Sequence, residues 1–224
     1  MDRDALKRLA AARAVEEVRD GMAVGLGSGS TAEIAVELLA ERKLDIVGVP
    51  TSERTARLAH ERGIALSTLE KHPQLDLVID GADQVERGTL ALVKGLGGAL
   101  LREKIVASAA RRMIVIVDDS KLVDRLGGRT PVPVEIVAYG WRSTLARLER
   151  AGLHPVLRGA PPFVTDGGNY IADCAVGSID DAQALDARLH MTVGVIETGL
   201  FIGIASCVIV AEPGRVEVLE RCAR

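Results

Sequence analysis

The sequence predicts an α/β fold: a doubly wound, mostly parallel sheet with a second, smaller α+β unit. Three observations carry this. Between residues 4 and 118, segments of helical periodicity alternate with short, continuously apolar segments. Strands that are apolar on both faces belong to parallel sheets covered on both sides. Glycines, hydroxyls and acids recur where the apolar segments end, which is where open parallel sheets bind ligands. After about residue 128 the pattern changes to a Pro-interrupted strand, a helix, a hairpin and another helix.

In chain order, residues 4–19 place Leu6, Leu9, Ala10, Ala14 and Val18 on one helical stripe, with Gly21 as the C-terminal cap. MAVGLGS is a buried strand running into glycines. STAEIAVELLAER is a helix with a hydroxyl cap and Glu33 in its first turn. LDIVGVPTS is a strand and SERTARLAHERG a helix closed by Gly63. IALSTL and LDLVIDGAD are strands, GALLREKIVASAARR a helix and RMIVIVDDSK a further apolar strand. Beyond them, GRTPVPVEIV is a strand and WRSTLARLERAG a helix. Residues 154–176 form a hairpin turning at Asp166, Gly167, Gly168 and Asn169, and DDAQALDARLHM is a helix. Residues 193–219 return to apolar strands that rejoin the first sheet. The expected division is 1–128 plus about 199–224 for the larger, Rossmann-like unit and about 129–198 for the smaller one, placed at a subunit interface.

Composition narrows the function. A net charge of −3 without a basic block, and aromatics at only 2%, argue against a nucleic-acid partner. The N-terminus carries charge throughout and lacks the apolar core of a signal peptide. The longest apolar run, 193–211, is broken by Glu197 and glycines, so no membrane span is expected. Cys174, Cys207 and Cys222 are odd in number and far apart, as incidental thiols of a reducing compartment are. The expected location is the cytoplasm. The four histidines show no ligand spacing, so no metal and no cofactor are expected.

The first strand ends in AVGLGSGSTAEIA, residues 23–35. Glycines let a backbone approach an anion closely, and the following helix offers free N–H groups and a positive dipole end. Ser28, Ser30 and Thr31 add hydroxyl donors, so the loop reads as a phosphate cradle. The alternatives are weaker matches. A dinucleotide fingerprint needs a third glycine where Ser30 stands, and no Gly-Lys-Ser/Thr follows for a nucleotide P-loop. A structural Gly-rich turn stays open.

A second set of residues lies in LDLVIDGADQVERGTLALVKGLGGALLREKIVA, residues 75–107. Asp80 and Asp83 follow one strand, and Asp118, Asp119, Ser120 and Lys121 follow another, on the same rim as the glycine loop. Lys94 precedes Gly95, Gly97 and Gly98, which lead into the helix bearing Glu103. Ala99, Glu103 and Ala107 are spaced by four, so Glu103 stands between small neighbours on one helix side. On helix position alone, flanked by Arg102 and Lys104, a solvated face is the plainer reading of Glu103, and an Asx turn that of Asp80. Taken together, a phosphate cradle, strand-end acids, a lysine and a helix carboxylate suit proton transfer next to the carbonyl of a phosphorylated sugar.

GLGSGSTA, IDGADQVE, KGLGGALLREKIVA and DDSKLV, with PVEIV at 133–137 and VTDGGNYI at 164–171, resemble the type A ribose-5-phosphate isomerases through most of the chain. The resemblance implies metal-free interconversion of ribose 5-phosphate and ribulose 5-phosphate in the non-oxidative pentose phosphate pathway. It also implies a doubly wound domain with a smaller α+β domain, in a homodimer or homotetramer. It makes Glu103 the base, with Lys94, Asp80 and Asp83 as catalytic partners. It places the sugar phosphate against Ser28, Gly29, Ser30 and Thr31, then Asp80, Gly81, Ala82 and Asp83, then Lys94, Gly95, Leu96 and Gly97, with Lys121. Three features depart from the family pattern: Gln84 stands where a glutamate is common, Leu101 where a small or hydroxyl residue is common, and the Asp80–Lys94 segment is one residue longer. A non-catalytic sugar-phosphate sensor and a coenzyme A transferase are the alternatives. The first would lack turnover and the second would form a thioester at Glu103.

Overall fold

A computed structural model of the chain describes residues 2–220; Cys222 lies outside the described residues. The elements are α1 (Arg3–Val15), β1 (Ala23–Leu26), α2 (Ser30–Glu41), β2 (Val47–Pro50), α3 (Glu53–Glu61), β3 (Ala65–Leu66) and β4 (Leu77–Asp80). They continue with β5 (Gln84–Glu86), β6 (Leu92–Val93), α4 (Leu100–Ser108), β7 (Met113–Asp118), β8 (Leu122–Val123), β9 (Val132–Ile136) and α5 (Trp141–Arg150). The last are β10 (Pro155–Leu157), β11 (Tyr170–Cys174), α6 (Ala182–His190), β12 (Val195–Thr198), β13 (Leu200–Phe201), β14 (Cys207–Glu212) and β15 (Arg215–Glu220).

Strands β3, β2, β1, β4, β7 and β14 run parallel in that spatial order, and β15 closes the sheet antiparallel to β14. The chain winds outward from β1 to β3, then crosses back to β4 and winds the other way. The fold is therefore the doubly wound, mostly parallel α/β class, with its switch point between β1 and β4. The strands are buried on both faces because successive side chains feed two different cores. Ile114 and Ile116 of β7 join α1, α2 and α3 residues such as Ala10, Ala14, Val36 and Ala59. Val115 and Val117 face the other way, against Val106 and Ala107 of α4 and Leu92 and Phe201.

That second face is covered differently from expectation. Beside α4, its cover is a four-stranded sheet in the order β13, β6, β5, β8. These strands are two or three residues long, too short for a periodicity to be read. A further antiparallel sheet, β10, β11, β9, β12, packs with α5 and α6 around its own core of Val132, Val134, Ile136, Leu148 and Leu189. We propose that this sheet marks the smaller unit, about 129–198, and that 1–128 with about 199–224 forms the larger, the last four residues lying outside the described chain.

Local differences have local causes. Helix α1 ends at Val15, well before Gly21, and the Arg42 guanidinium satisfies the freed carbonyls of Val15 and, at 3.1 Å, Val18. Gly21 instead makes a left-handed turn into β1 at φ 81°. The hairpin between β10 and β11 is long, and its Gly-Gly turn is closed by the Thr165 N–H donating to the Asn169 carbonyl, the Gly168 N–H to the Thr165 carbonyl and the Asn169 N–H to the Thr165 hydroxyl.

Gly25 sits mid-strand in β1 between two cores. A β-carbon there would lie 2.7 Å from methyls of both Val78 and Val106. Gly25→Ala is expected to destabilise the fold by the ~1–3 kcal/mol typical of overpacking. Urea unfolding should show a lower midpoint at unchanged slope; an unchanged midpoint would show that β1 and α4 are not in this close contact.

Candidate active site

The site forms at the switch point, where the loop after β1 meets the end of β4. Gly27 donates its N–H to the carbonyl of Ile79 at 3.0 Å, and any side chain there would collide with Asp80. This close approach lets one oxygen of Asp80 accept from the N–H groups of Ser28 (3.0 Å) and Gly81 (2.7 Å). Gly29, at φ 91°, then caps α2, whose first residues are Ser30 and Thr31. The N-terminus of α2 therefore opens toward the rim with two hydroxyls and a positive dipole end.

Lys94 arrives from the end of β6 and enters the site beneath this loop. Its ammonium donates to the Gly81 carbonyl at 2.6 Å and lies 2.9 Å from Asp80 Oδ2 and 3.5 Å from Glu103 Oε2. The ring of Phe201 lies against the same ammonium, 5.5 Å from it to the centroid. Asp80, Lys94 and Glu103 are 1%, 2% and 4% exposed, so all three charges are withdrawn from bulk water. Glu103 therefore does not sit on a solvated face of α4. Its neighbours turn elsewhere: Arg102 pairs with Glu53 at 2.8 Å and Lys104 with Glu197 at 2.6 Å. Lys94 is left as the cation beside Glu103.

Lys94 and Glu103 border a cavity of about 210 Å³. Ser28, Gly29, Ser30, Thr31, Gly81, Ala82, Asp83, Lys94, Gly95, Gly97, Glu103 and Lys121 line it. Two residues of the expected set do not. Asp80 lies behind the wall, as the anchor of the β1 loop and of Lys94. Leu96 projects its side chain outward, 44% exposed, while its N–H donates to Asp83 Oδ2 at 2.9 Å. The Ser28 hydroxyl is engaged by those of Thr51 (2.7 Å) and Ser52 (2.8 Å), so Ser30 and Thr31 carry the open hydroxyls of the cradle.

Arg3 and Lys7 of α1 also line the cavity and were not singled out from the sequence. Their four-residue spacing, on the polar side of a helix whose other side is alanine-rich, is the available signal. Together with Lys121 they put three cations near the α2 N-terminus. Asp118 and Ser120 complete the rim; the Ser120 N–H donates to Asp118 Oδ1 at 3.0 Å.

Burial sets the proton affinities. It pushes the Glu103 carboxyl up, Lys94 pulls it down, and the nearby charges of Asp80 and Asp83 raise it again, leaving it at about 8. Burial likewise raises Asp80, opposed by Lys94 and by the N–H groups of Gly81 and Ser28. Burial alone would lower Lys94, but the charges of Asp80 and Glu103 outweigh it and hold the proton on. The result is an ammonium that keeps its proton beside a carboxyl raised well above the ordinary carboxylate range, a pairing suited to a general base and an oxyanion stabiliser.

The departures in the loop have structural homes. The Gln84 amide donates to the Gly127 carbonyl and the Thr130 hydroxyl, both at 3.0 Å, and accepts from Gly127 N–H at 2.8 Å. A glutamate could not donate those two bonds, so Gln84 fits its surroundings. Leu101 is half-buried on α4 beside Gly98 and Thr165. Among the described residues, the side chains close enough to share an ion are Asp186, His190 and Glu197. None lines the cavity, and Glu197 is already held by Lys104. Burial pushes the Cys174 thiol up to about 12, which leaves it unreactive at neutral pH.

At the strand ends of a doubly wound α/β fold, a helix N-terminus with open hydroxyls and a buried ammonium–carboxyl pair suit a proton-transferring enzyme. The chain belongs to the ribose 5-phosphate isomerase A (phosphoriboisomerase A) family, whose model matches residues 47–215. It is 56% identical over 224 residues to the ribose-5-phosphate isomerase A of Gloeobacter violaceus, covering 98% of this chain and 97% of that one. Its fold is similar to a D-ribose-5-phosphate isomerase solved in complex with phospho-erythronic acid, at TM-score 0.94 and 39% identity over 99% of this chain and 100% of that chain. It is also similar to ribose 5-phosphate isomerase A of Methanocaldococcus jannaschii, at TM-score 0.92 and 39% identity, covering 97% and 99% of the two chains. No helix of the described residues is long and apolar enough to cross a membrane.

A base must be deprotonated to act. Activity is therefore expected to fall as pH drops through the Glu103 value of about 8, by tenfold per unit once well below it. The measurement is kcat/KM against pH, with substrate held in its dianionic form. A limb confined to the ordinary carboxylate range, near ~4.3, would contradict the buried setting.

Proposed function

We propose that this chain interconverts D-ribose 5-phosphate and D-ribulose 5-phosphate, with Glu103 as the base. The observation that carries the reading is the placement of Glu103. It is a buried carboxylate 3.5 Å from a buried ammonium, on the wall of a cavity whose rim is a helix-N-terminal anion cradle.

The chemistry follows from the groups present. The 5-phosphate binds at the N-terminus of α2, to N–H groups and to the Ser30 and Thr31 hydroxyls, with Lys7, Arg3 and Lys121 adding positive charge. Glu103 removes the proton from the second carbon of the open-chain aldose. The electron pair moves onto the carbonyl oxygen, giving an enediolate, and the same carboxyl returns the proton to the first carbon. One hydroxyl proton passes between the two oxygens, so the product is an isomer with nothing gained or lost. Lys94 meets the negative charge as it develops, and Asp83 orients hydroxyls of the sugar and assists ring opening. Asp80 serves by holding Lys94 and the β1 loop in place. No metal or organic cofactor has a role in this scheme, because an ammonium supplies the electrophile.

A purely sensory pocket has no need of a buried carboxyl paired with a buried ammonium on its wall, which favours turnover over ligand sensing. We further propose a cytoplasmic homodimer or homotetramer. Tyr139, Met191 and Val193, 94%, 84% and 73% exposed, are apolar side chains available to such an assembly.

Glu103→Gln keeps the shape and removes the basicity. Turnover of ribose 5-phosphate is expected to fall by ~10²–10⁴-fold with KM little changed, as general-base loss predicts. Steady-state kinetics check this; turnover within a few-fold of the unaltered enzyme would remove Glu103 from the role.

A further inference from the structure

We propose that Arg158, from the smaller unit, is a positioning residue for the isomerisation, acting through the glycine turn that carries Lys94. This rests on the reading of the pocket given above and adds a residue to it. Arg158 lies at the end of β10. Its guanidinium is fixed by Asp173 of β11, through Nε at 2.8 Å and a second, parallel bond. The remaining nitrogen, Nη1, donates to two successive carbonyls of the turn, Gly95 at 3.0 Å and Leu96 at 3.1 Å.

Those two bonds orient two peptide planes. In a trans peptide the N–H points opposite to the carbonyl it adjoins. With the Gly95 carbonyl turned to Arg158, the Leu96 N–H must face the other way, and there it meets Asp83 Oδ2 at 2.9 Å. By the same geometry the Leu96 carbonyl turns the Gly97 N–H away from Arg158, on the side where Gly97 lines the cavity. One guanidinium therefore aims one N–H at the pocket carboxylate Asp83 and turns a second away from itself, at the residue that lines the cavity. The turn is closed by the Gly98 N–H, which donates to the Gly95 carbonyl at 3.0 Å with Gly95 and Gly98 both at positive φ, and Arg158 is a second donor to that carbonyl and a donor to the next. Its packing also comes from the smaller unit: the Phe163 ring lies against Gly98, and the Phe163 N–H donates to the Arg158 carbonyl at 2.8 Å. Lysine would replace this fork only in part, because its ammonium can reach the carboxylate or a carbonyl but lacks the planar set of donors that bonds a carboxylate on one edge and two carbonyls on the other.

The test combines kinetics with amide exchange. Arg158→Ala should lower kcat about 10–100-fold, less than loss of a direct oxyanion donor, while KM changes under about threefold. Arg158→Lys should recover at least about fivefold of that loss. In NMR-detected hydrogen exchange, the Leu96 amide should lose protection by about tenfold or more in Arg158→Ala, as its bond to Asp83 is released. If the alanine variant does not fold, Arg158→Lys and Asp173→Asn are read alone, and each should show partial kcat loss with faster Leu96 exchange. A kcat within twofold of the unaltered enzyme overturns the proposal, and so does a kcat loss with native Leu96 protection. The exchange readout needs no turnover: an unaltered enzyme inactive on ribose 5-phosphate would refute the pocket reading, while Leu96 protection would still decide the role of Arg158.

Discussion

The arrangement depends on one buried ammonium. Lys94 lies between Asp80 and Glu103 with almost no access to water, and it can stay charged there only because both carboxylates and the Gly81 carbonyl surround it. Removing one partner of such a group leaves an uncompensated buried charge, which is strongly destabilising. Evolving such a cluster for stability alone makes little physical sense, since apolar residues fill buried space at lower cost. Its use is chemical: the ammonium keeps its proton and the adjacent carboxyl is left free to exchange one.

Much of the surrounding backbone is shaped by this requirement. Gly27 has no side chain because Asp80 occupies that space, and Asp80 in turn holds the N–H groups of two loops on one oxygen. The β1 loop that would cradle phosphate and the lysine that would meet the enediolate thus share an anchor. From the opposite side, Arg102 and Lys104 pull away from Glu103 toward Glu53 and Glu197. Glu53 starts α3, beside the parallel sheet, and Glu197 lies in β12 of the antiparallel sheet, so α4 is tied to both.

The sequence made the sheet legible because β1, β4 and β7 are apolar on both faces, a pattern that parallel strands between two cores require. It made the rim legible because glycines and acids follow those strands directly. Glu103 could be assigned only through its company, since Arg102 and Lys104 give it the look of a surface residue. Other features are tertiary and leave no local pattern. The covering strands β5, β6, β8 and β13 are too short for periodicity, and the last carbonyl of α1 is capped by Arg42, 27 positions away. Arg3 and Lys7 reach the cavity only once α1 is laid across α2 and the sheet. Asp80 and Asp83 look alike in the sequence, yet one is buried as an anchor and the other lines the cavity, a difference that only packing decides.

The central claim is that Lys94 and burial together set the proton affinity of Glu103. The most direct measurement is the titration of the Glu103 carboxyl itself, by carbon NMR of selectively labelled glutamate, in the unaltered chain and in Lys94→Met. The account predicts a midpoint of about 8 in the unaltered chain. It predicts a higher one in the variant, because the cation that favours the ionised form is gone while burial remains. A midpoint in the ordinary carboxylate range, near ~4.3, or one that does not move when Lys94 is replaced, would contradict it.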